Sequence, residues 1–239
     1  MTATAAGGPG LVQARFVRRY KRFLAEVVLD GRSEIVHVPN TGSMATLLHA
    51  GADAWLARAA NPKRKLLWTL VLLGLPDGGL ALIDTSLPNR LVHEAVAAGR
   101  VAELAGYAQH RREVPIGSAG SRCDLLLTAD DGRRCWVEIK NCTQLGSEPG
   151  RCDFPDAVTE RGTRHLHELS ERVAVGDRAV QFYLLSRTDC DRVGIARGID
   201  PAYGAALDAA QKAGVEVVVY RARLSSAEQR VGERAIFVG

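Results

Sequence analysis

Residues 121–141, SRCDLLLTADDGRRCWVEIKN, contain the pattern that decides the fold of this chain. Two mainly apolar runs, 122–128 and 134–140, flank the turn residues Asp130-Asp131-Gly132. Short apolar runs on either side of a glycine-containing turn are typical of a β-hairpin. The sequence therefore predicts two paired strands here.

The length of the hairpin loop decides which residues face each other. A two-residue loop would place Asp124 opposite Ile139, whereas a three-residue loop over 130–132 places it opposite Glu138. The three-residue class needs a left-handed residue at its end, and Gly132 occupies that position. The register therefore predicts facing carboxylates, with Cβ atoms about 5 Å apart.

The second strand carries its charges on one side. Glu138 and Lys140 are two residues apart and share a face with Trp136, while Val137 and Ile139 point into a core. Two close carboxylates repel unless a cation or proton lies between them.

The Asp124–Glu138 pair therefore suits Mg²⁺ or Mn²⁺, and Lys140 could orient or deprotonate a water molecule, as in metal-assisted phosphodiester hydrolysis. The residue types fit equally well a solvated Glu–Lys pair on an edge strand with an unrelated Asp.

Outward from the hairpin, residues 84–239 alternate helices with strands. The predicted order is α-β-β-β-α-β-α-β, a mixed sheet flanked by helices. Ser86 is expected to cap the first helix and Asp156 the second. The elements are a helix from 86 to Gly99, strands near 111–116, 122–128 and 134–140, a helix from 156, a strand at 179–186, a helix at 201–213 and a strand at 215–220.

Residues 1–83 are predicted to be a separate small β-barrel, with the domain boundary near 84. Asp30-Gly31 is a hairpin signal, and Pro76-Asp77-Gly78-Gly79 joins the last two runs. The predicted strands are 11–17, 23–29, 34–38, 66–73 and 80–83.

The barrel also carries the excess positive charge. Residues 1–83 contain 10 basic and 5 acidic residues, against 21 and 22 in residues 84–239. Basic residues track a phosphate backbone and aromatic rings stack bases, which predicts DNA binding of low sequence specificity. The candidate DNA-binding residues are Arg15, Arg18, Arg19, Lys21, Arg22, Lys63, Arg64, Lys65, Arg161 and Arg164.

Strand alternation would place Phe16, Arg18, Tyr20 and Arg22 along one surface. The alternative is a solubilising strand with Phe16 and Phe23 in the barrel core. The polar loop 40–43 could hold a phosphate through its backbone N–H groups, or it is an ordinary turn. His165 lies near the apolar stripe of the second helix, and we assign it no catalytic role.

Composition excludes other classes. The chain has 239 residues, of which 46% are hydrophobic and 24% charged, as in ordinary folded proteins. The five cysteines include no C-x-x-C pair, so we expect buried thiols rather than zinc ligands or disulfides. The residues reveal no secretion signal or membrane span, so a cytoplasmic protein is expected; they do not indicate an oligomeric state.

The hairpin with Asp124, Glu138 and Lys140, between two helices, resembles the PD-(D/E)xK nuclease core. The wider chain resembles the sugar fermentation stimulation protein A family. The matching segments are RFVRRYKRFLAEV (15–27), HVPNTGSM (37–44), NPKRKL (61–66), LPNRLVHEA (87–95), SRCDLLL (121–127), CWVEIKN (135–141) and FPDAVTERGTRHLHEL (154–169).

The resemblance implies an N-terminal OB-type barrel followed by a PD-(D/E)xK nuclease-like domain, DNA binding and a link to the expression of sugar-utilisation genes. It also implies that Asp124, Glu138 and Lys140 are the nuclease-like triad and that Glu94 supplies an extra metal-binding acid. On a helical wheel, however, Glu94 lies about 130° from the apolar stripe, which is typical of a surface residue.

Three functional hypotheses follow. The first is a Mg²⁺-dependent DNA nuclease with little sequence preference. The second is a DNA-binding regulator that keeps the nuclease fold without turnover. The third, an enzyme acting on a phosphorylated sugar, has little support because the chain lacks a glycine-rich phosphate loop.

Overall fold

The first part of the chain forms a sheet that closes on itself. In this computed structural model, which describes residues 10–61, 63–117 and 120–239, the strand order is β3-β2-β1-β4-β5-β6. A parallel contact between β3 and β5 closes a five-stranded barrel, with β6 added at the side of β5. The strands are β1 (Val12–Tyr20), β2 (Leu24–Leu29), β3 (Arg32–His37), β4 (Asp53–Arg58), β5 (Trp68–Gly74) and β6 (Leu80–Leu82).

The barrel confirms the predicted class and corrects its strand list. Asp30 and Gly31 both have positive φ, as the predicted β2–β3 hairpin turn requires. The prediction missed β4, whose sequence DAWLAR has two alanines and little β propensity. With β4 included, the run predicted at 80–83 is the sixth strand rather than the fifth.

A six-stranded mixed sheet forms the second part, in the order β15-β14-β12-β9-β8-β7. Its three central strands, β9, β12 and β14, are parallel, and the others pair antiparallel. The strands are β7 (Gln109–Ile116), β8 (Ser121–Thr128), β9 (Arg134–Cys142), β12 (Arg178–Leu185), β14 (Glu216–Leu224) and β15 (Gln229–Arg234).

Four shorter strands that the sequence analysis missed form a separate sheet. The order is β10-β11-β13-β16, with β11, β13 and β16 parallel. These strands are β10 (Gln144–Leu145), β11 (Arg151–Phe154), β13 (Arg192–Ile195) and β16 (Ile236–Phe237). With two to four residues each, they are too short to show an alternating pattern in the sequence.

Three helices cover the mixed sheet: α1 (Leu87–Ala97), α2 (Glu160–Ala174) and α3 (Pro201–Lys212). Leu91 and Val92 of α1 pack on one face of the sheet, and Leu166 of α2 and Leu207 of α3 belong to the core on the other. This arrangement confirms the predicted mixed sheet flanked by helices.

Of the two predicted helix caps, Ser86 occupies the N-cap position of α1, whereas Asp156 is not the cap of α2. The Ser86 side chain makes no capping hydrogen bond, because it donates to Asp84 Oδ1 instead. Helix α2 begins four residues later than predicted, and its cap is Thr159, whose Oγ1 accepts from the Gly162 N–H at 3.0 Å. Asp156 lies in the preceding segment and contacts the barrel.

The barrel is packed against the second part of the chain. Leu72 of β5 and Leu82 of β6 share one core with α1 and the mixed sheet. Within the described ranges, no helix is long and apolar enough to cross a membrane.

Candidate functional site

The β8–β9 hairpin has the predicted register. Leu125 pairs with Val137, and the Ala129 N–H donates to the Arg133 carbonyl at 2.9 Å across a three-residue loop. Gly132 has φ of 86°, the left-handed conformation that this loop requires. Asp124 and Glu138 are the next residues along the two strands after the Leu125–Val137 pair, so they occupy facing positions.

Asp124 has no paired residue in the ladders that β8 forms with β7 and β9, and its side chain makes the hydrogen bonds at this position. Its Oδ2 accepts from the Ile139 backbone N–H at 2.7 Å, and its Oδ1 accepts from Asn89 Nδ2 of α1 at 2.6 Å. On the neighbouring strand β7, Glu113 has φ of 52° at the same level. Because the backbone is irregular at this level, the Asp124 carboxylate, rather than a backbone carbonyl, accepts the hydrogen bond from the Ile139 N–H.

Glu138 is held from two sides. Its Oε1 accepts from Lys140 Nζ at 2.6 Å and makes a short contact with His165 Nδ1 of α2. The side chains of Glu138 and Lys140 are 4% and 14% exposed. The predicted division of faces is confirmed, since Trp136 packs in the α2–α3 layer and Ile139 in the α1 layer.

His165 is the residue that the sequence analysis underrated. It is 3% exposed, and Arg161 Nε donates to its Nε2 at 3.3 Å, which assigns the ring proton to Nδ1 and so to the bond with Glu138. The spacing of Arg161 and His165, one helical turn apart, was visible in the sequence. The sequence did not show that the helix carrying these two residues packs beside β9. Asp124, Glu138, Lys140 and His165 are called the acidic site below.

The two carboxylates of the acidic site differ in charge state. Burial, and then the charge of Glu138, raises the pKa of Asp124 from 3.8 to about 7. Burial alone would raise the pKa of Glu138 too, but the charge of Lys140 and the contact with His165 outweigh it and lower the pKa. At neutral pH the pair therefore holds its negative charge mainly on Glu138.

The predicted third acid does not join them. Glu94 is half exposed on α1 and pairs with Arg90, one turn earlier, at 3.5 Å. Among the residues that the structure describes, no group of three His, Cys, Asp or Glu side chains is placed to hold a metal ion. The set of Asp124, Glu138 and Glu94 is thus not formed, because Glu94 points away from the apolar stripe that packs on the sheet.

A cleft of about 340 Å³ lies beside the acidic site, between the barrel and the second part of the chain. The barrel contributes Arg22 and the loop 40–42 to its wall. The other wall includes Lys140, Asn141, the segment 153–159 and Arg161. Lys140 is thus shared between the acidic site and the cleft.

The loop 40–43 is braced from both sides. Arg19 donates to the carbonyl oxygens of Asn40 at 2.7 Å and Gly42 at 2.9 Å. Gly42 lies against the Asp156 side chain so closely that a Cβ would overlap the carboxylate. The Met44 N–H donates to the same carboxylate at 3.5 Å. The anion beside this loop in the structure is therefore Asp156, and the two interpretations of the loop, a phosphate site or an ordinary turn, stay predictions.

Most of the predicted DNA-binding residues on β1 have partners within the barrel. Arg15 pairs with Asp53 at 2.9 Å, and Arg18 with Glu26 at 2.8 Å. Arg19 is a brace for the loop 40–43 rather than an open contact for DNA, because its guanidinium is directed at backbone carbonyls.

The predicted aromatic surface is also changed. A β-bulge after Phe16 shifts the alternation, so Phe16 is 2% exposed in the barrel core, and the expectation that it stacks a base is wrong. Phe23 is 41% exposed, which overturns the alternative that places it in the core. Arg18 lies over the Tyr20 ring, and Arg22 over the Phe23 ring.

The barrel topology brings the two basic segments to one end. Leu24, at the start of β2, pairs with His37 at the end of β3, and His37 pairs with Thr69 near the start of β5. The turn before β2 and the loop before β5 therefore lie at the same end of the barrel. This surface, called the basic end, consists of Arg18, Tyr20, Lys21, Arg22, Phe23, Lys63, Arg64 and Lys65.

On α2, both predicted arginines are exposed. Arg161 lines the cleft and contacts His165, so it lies next to the acidic site. Arg164 is on the exposed surface of the same helix, outside the residues that line the cleft.

Comparisons with known proteins agree with this architecture. Residues 17–83 match the family model of the SfsA N-terminal OB domain, and residues 86–228 match that of the sugar fermentation stimulation protein RE domain.

Two curated relatives, both named sugar fermentation stimulation protein homolog, cover nearly the whole chain. The one from Paramagnetospirillum magneticum is 48% identical over 216 residues, 90% of each chain. The one from Geobacter metallireducens is 49% identical over 225 residues, 94% of this chain and 95% of its own.

A solved structure has the same fold. SfsA from Pyrococcus furiosus, determined in complex with Ca²⁺, superposes with a TM-score of 0.87 at 24% identity, over 99% of both chains. Because the identity is low, this likeness speaks for the fold alone.

Proposed function

The chain belongs to the sugar fermentation stimulation protein family, and from that premise we propose that it is a DNA-binding protein of low sequence specificity with a divalent-metal-dependent phosphodiesterase site. The observation that carries the proposal is the acidic site at the edge of a cleft. There Asp124 and Glu138 face each other with Lys140 alongside, as in PD-(D/E)xK nucleases.

The donor set fits Mg²⁺ or Mn²⁺. The charge of Glu138 contributes to the raised pKa of Asp124, so a cation between them would relieve their repulsion. Mg²⁺ is commonly held by one or two carboxylates together with water and substrate phosphates. Asp124 and Glu138 would hold the ion, which would polarise the phosphodiester when bound. A related protein has been seen with Ca²⁺, which is consistent with a divalent cation.

The residues around these acids have separate tasks. Lys140 lies 2.6 Å from Glu138 and faces the cleft, where its ammonium can orient a water molecule and balance negative charge on a phosphate. His165 fixes the Glu138 carboxylate and is a positioning residue. Arg22 and Arg161 supply positive charge on opposite walls of the cleft.

The basic end supports the DNA-binding part of the proposal. It combines cations with the exposed ring of Phe23 and the half-buried ring of Tyr20, the combination that binds nucleic acid without reading sequence. Arg18 is well exposed in its pair with Glu26, so a phosphate can replace this acidic partner at small cost. The proposal also keeps the link to sugar-utilisation genes that the family name suggests.

The second candidate is a catalytically silent DNA-binding regulator with the same fold. One observation favours it: the Oε1 of Glu138 is already engaged by Lys140 and His165. In this candidate those contacts persist and the acidic site is purely structural.

The test is calorimetric titration of Mg²⁺ or Mn²⁺ into the wild type and Asp124→Asn, followed by cleavage assays on plasmid, linear duplex and single-stranded DNA. We expect the wild type to bind the cation and cleave, and Asp124→Asn to do neither. Asp208→Asn, at an exposed acid paired with Arg197, is the matched control and should behave as the wild type.

Two results would contradict the proposal in different ways. DNA binding without cation binding or cleavage would favour the silent regulator. Absence of DNA binding by the wild type at low salt would reject both candidates.

A further inference from the structure

The size of the cleft limits what can enter it. Its volume of about 340 Å³ is within the range of about 300–1,000 Å³ typical of pockets for small organic molecules. A single nucleotide is of that size. A duplex, with two backbones and stacked base pairs, is far larger.

The two walls of the cleft are in contact with each other. Its barrel wall, the loop 40–43, rests on Asp156 of the other wall through Gly42, and Arg19 holds the loop from behind. Arg187 adds a second tie between the two parts, donating to Thr46 Oγ1 at 3.1 Å and to the Thr143 carbonyl at 2.8 Å. An occupant must therefore fit between walls that are held together.

The walls offer contacts for both parts of a nucleotide. Arg22 and Arg161 lie on opposite sides and suit a phosphate, although the Nε and Nη2 of Arg22 already donate to the Thr41 carbonyl and leave its Nη1 for a ligand. Asn141 also lines the cleft, and its Oδ1 is buried without a hydrogen-bond partner among the described residues. Because that oxygen is buried, the accessible remainder of the Asn141 amide is the part that can meet the polar edge of an unpaired base.

The approach to the cleft also suits a single strand. Arg22 belongs both to the cleft and to the basic end, where its guanidinium lies 5.6 Å from the centre of the Phe23 ring. Tyr20 lines a neighbouring depression together with Arg22 and part of the loop 40–43. Exposed rings beside cations stack unpaired bases, whereas the bases of a duplex stack on each other.

From these observations we infer that the cleft takes one unpaired nucleotide beside the acidic site, so that the substrate is single-stranded DNA or an unpaired position in a duplex. This inference rests on the proposed function and adds the class of DNA. The neighbouring nucleotides lie on the basic end, and the phosphodiester of the captured nucleotide is the one presented to Lys140.

The test uses fluorescence anisotropy with the full-length protein and three labelled DNA probes of equal length. The probes are a single strand, an intact duplex and a duplex with one unpaired nucleotide. We expect the wild type to bind the single strand at least tenfold more tightly than the intact duplex at the same salt concentration, with the third probe in between.

A matched pair of variants separates the cleft from general charge effects. Val158→Glu adds an anion at the cleft, and Val175→Glu adds the same group at a similarly exposed valine beyond the far end of α2. We expect Val158→Glu to lose the single-strand preference at least tenfold, while its affinity for the intact duplex equals that of Val175→Glu. Circular dichroism confirms that both variants are folded.

The outcomes are distinguishable. If the wild type binds duplex as tightly as single strand, or if Val158→Glu keeps the preference, the inference is overturned while DNA binding stands. If the wild type binds none of the probes, the proposed function fails together with the inference.

Discussion

The charged side chains of the acidic site are mostly buried, whereas those of the basic end are exposed to solvent. In the acidic site, Glu138 is 4% exposed and is held by Lys140 and His165, neighbours that are themselves buried or mostly buried. At the basic end, Arg18 is well exposed and pairs with Glu26 in solvent. A buried charge that loses its partner costs the fold several kcal/mol, whereas an exposed pair is worth about 0–1 kcal/mol.

This difference separates stability from binding. A substitution in the acidic site changes the fold and the chemistry together, because each side chain there is a partner of another. A substitution at the basic end can change DNA affinity alone. The three predictions below, from the largest expected effect to the smallest, test how far that separation holds.

The largest effect is expected for Glu138→Ala. The substitution leaves Lys140 and His165 facing a buried space without an anion, so we expect the free energy of unfolding to fall by about 3–5 kcal/mol. Urea denaturation followed by circular dichroism measures it. Glu138→Gln, which keeps a hydrogen-bond acceptor, is the comparison and should lose less. A loss below about 1 kcal/mol for Glu138→Ala would mean that this pair behaves like those on the surface.

Asp124→Asn is expected to stabilise the metal-free protein at high pH. The pKa of Asp124 is raised from 3.8 to about 7, so between these values the folded protein holds a proton that the unfolded chain releases. The stability linked to this proton is complete below about pH 4 and is lost as the pH rises through 7. Since each tenfold change in proton affinity is worth about 1.4 kcal/mol, the ionised carboxylate costs at most about 4 kcal/mol at pH 8.

Thermal or urea unfolding in EDTA at pH 4 and pH 8 measures this effect. The variant should exceed the wild type at pH 8 and match it near pH 4. The side-chain amide of the variant can keep the hydrogen bonds with Ile139 and Asn89 if the Asn89 amide rotates so that its oxygen accepts. In Asp208→Asn the sign should reverse, because hydrogen bonding from Arg197 lowers the pKa of Asp208. Equal stability of Asp124→Asn and wild type at both pH values would contradict the raised pKa.

The smallest effects on stability separate two neighbouring cations of the barrel. Arg19→Ala removes hydrogen bonds to the loop 40–43, and we expect a loss of about 1–3 kcal/mol. Lys21→Ala, at an exposed turn residue, should change stability by less than about 0.5 kcal/mol and weaken DNA binding instead. Its phosphate contact should appear as a decrease of about 0.7–0.9 in the slope of log affinity against log salt. If both variants lose stability equally, the distinction between brace and binding residue is wrong.

The hairpin shows what the sequence could decide. Loop length, Gly132 and the alternation of Trp136, Val137 and Glu138 are local features, and strand pairing converts them directly into a register. The facing positions of Asp124 and Glu138 followed from that register. The side-chain partners did not, because Asn89 and His165 reach them from helices that are distant in sequence.

The basic segment shows where local reasoning stops. A single bulge after Phe16 reverses the faces of β1, and neither residue types nor spacing reveal a bulge. The roles of Arg15, Arg18 and Arg19 depend on Asp53, Glu26 and the loop 40–43, which only the closed barrel brings to them. The cleft was invisible for the same reason, since its two walls come from separate parts of the chain.

The five buried cysteines have a practical consequence. All five are free thiols, and burial raises the pKa of Cys123, Cys142 and Cys152 well above its usual range. Hydrogen bonding with Cys152 lowers the pKa of Cys190, but this thiol is only 1% exposed. Thiol-reactive dyes attack the thiolate of accessible cysteines, so the folded protein should resist labelling. One cysteine introduced at Asp77, on the exposed turn between β5 and β6 and outside the basic end, would then accept a fluorophore selectively without prior removal of the native thiols. The chain is thus ready for energy-transfer measurements that follow a labelled DNA strand from the barrel toward the cleft.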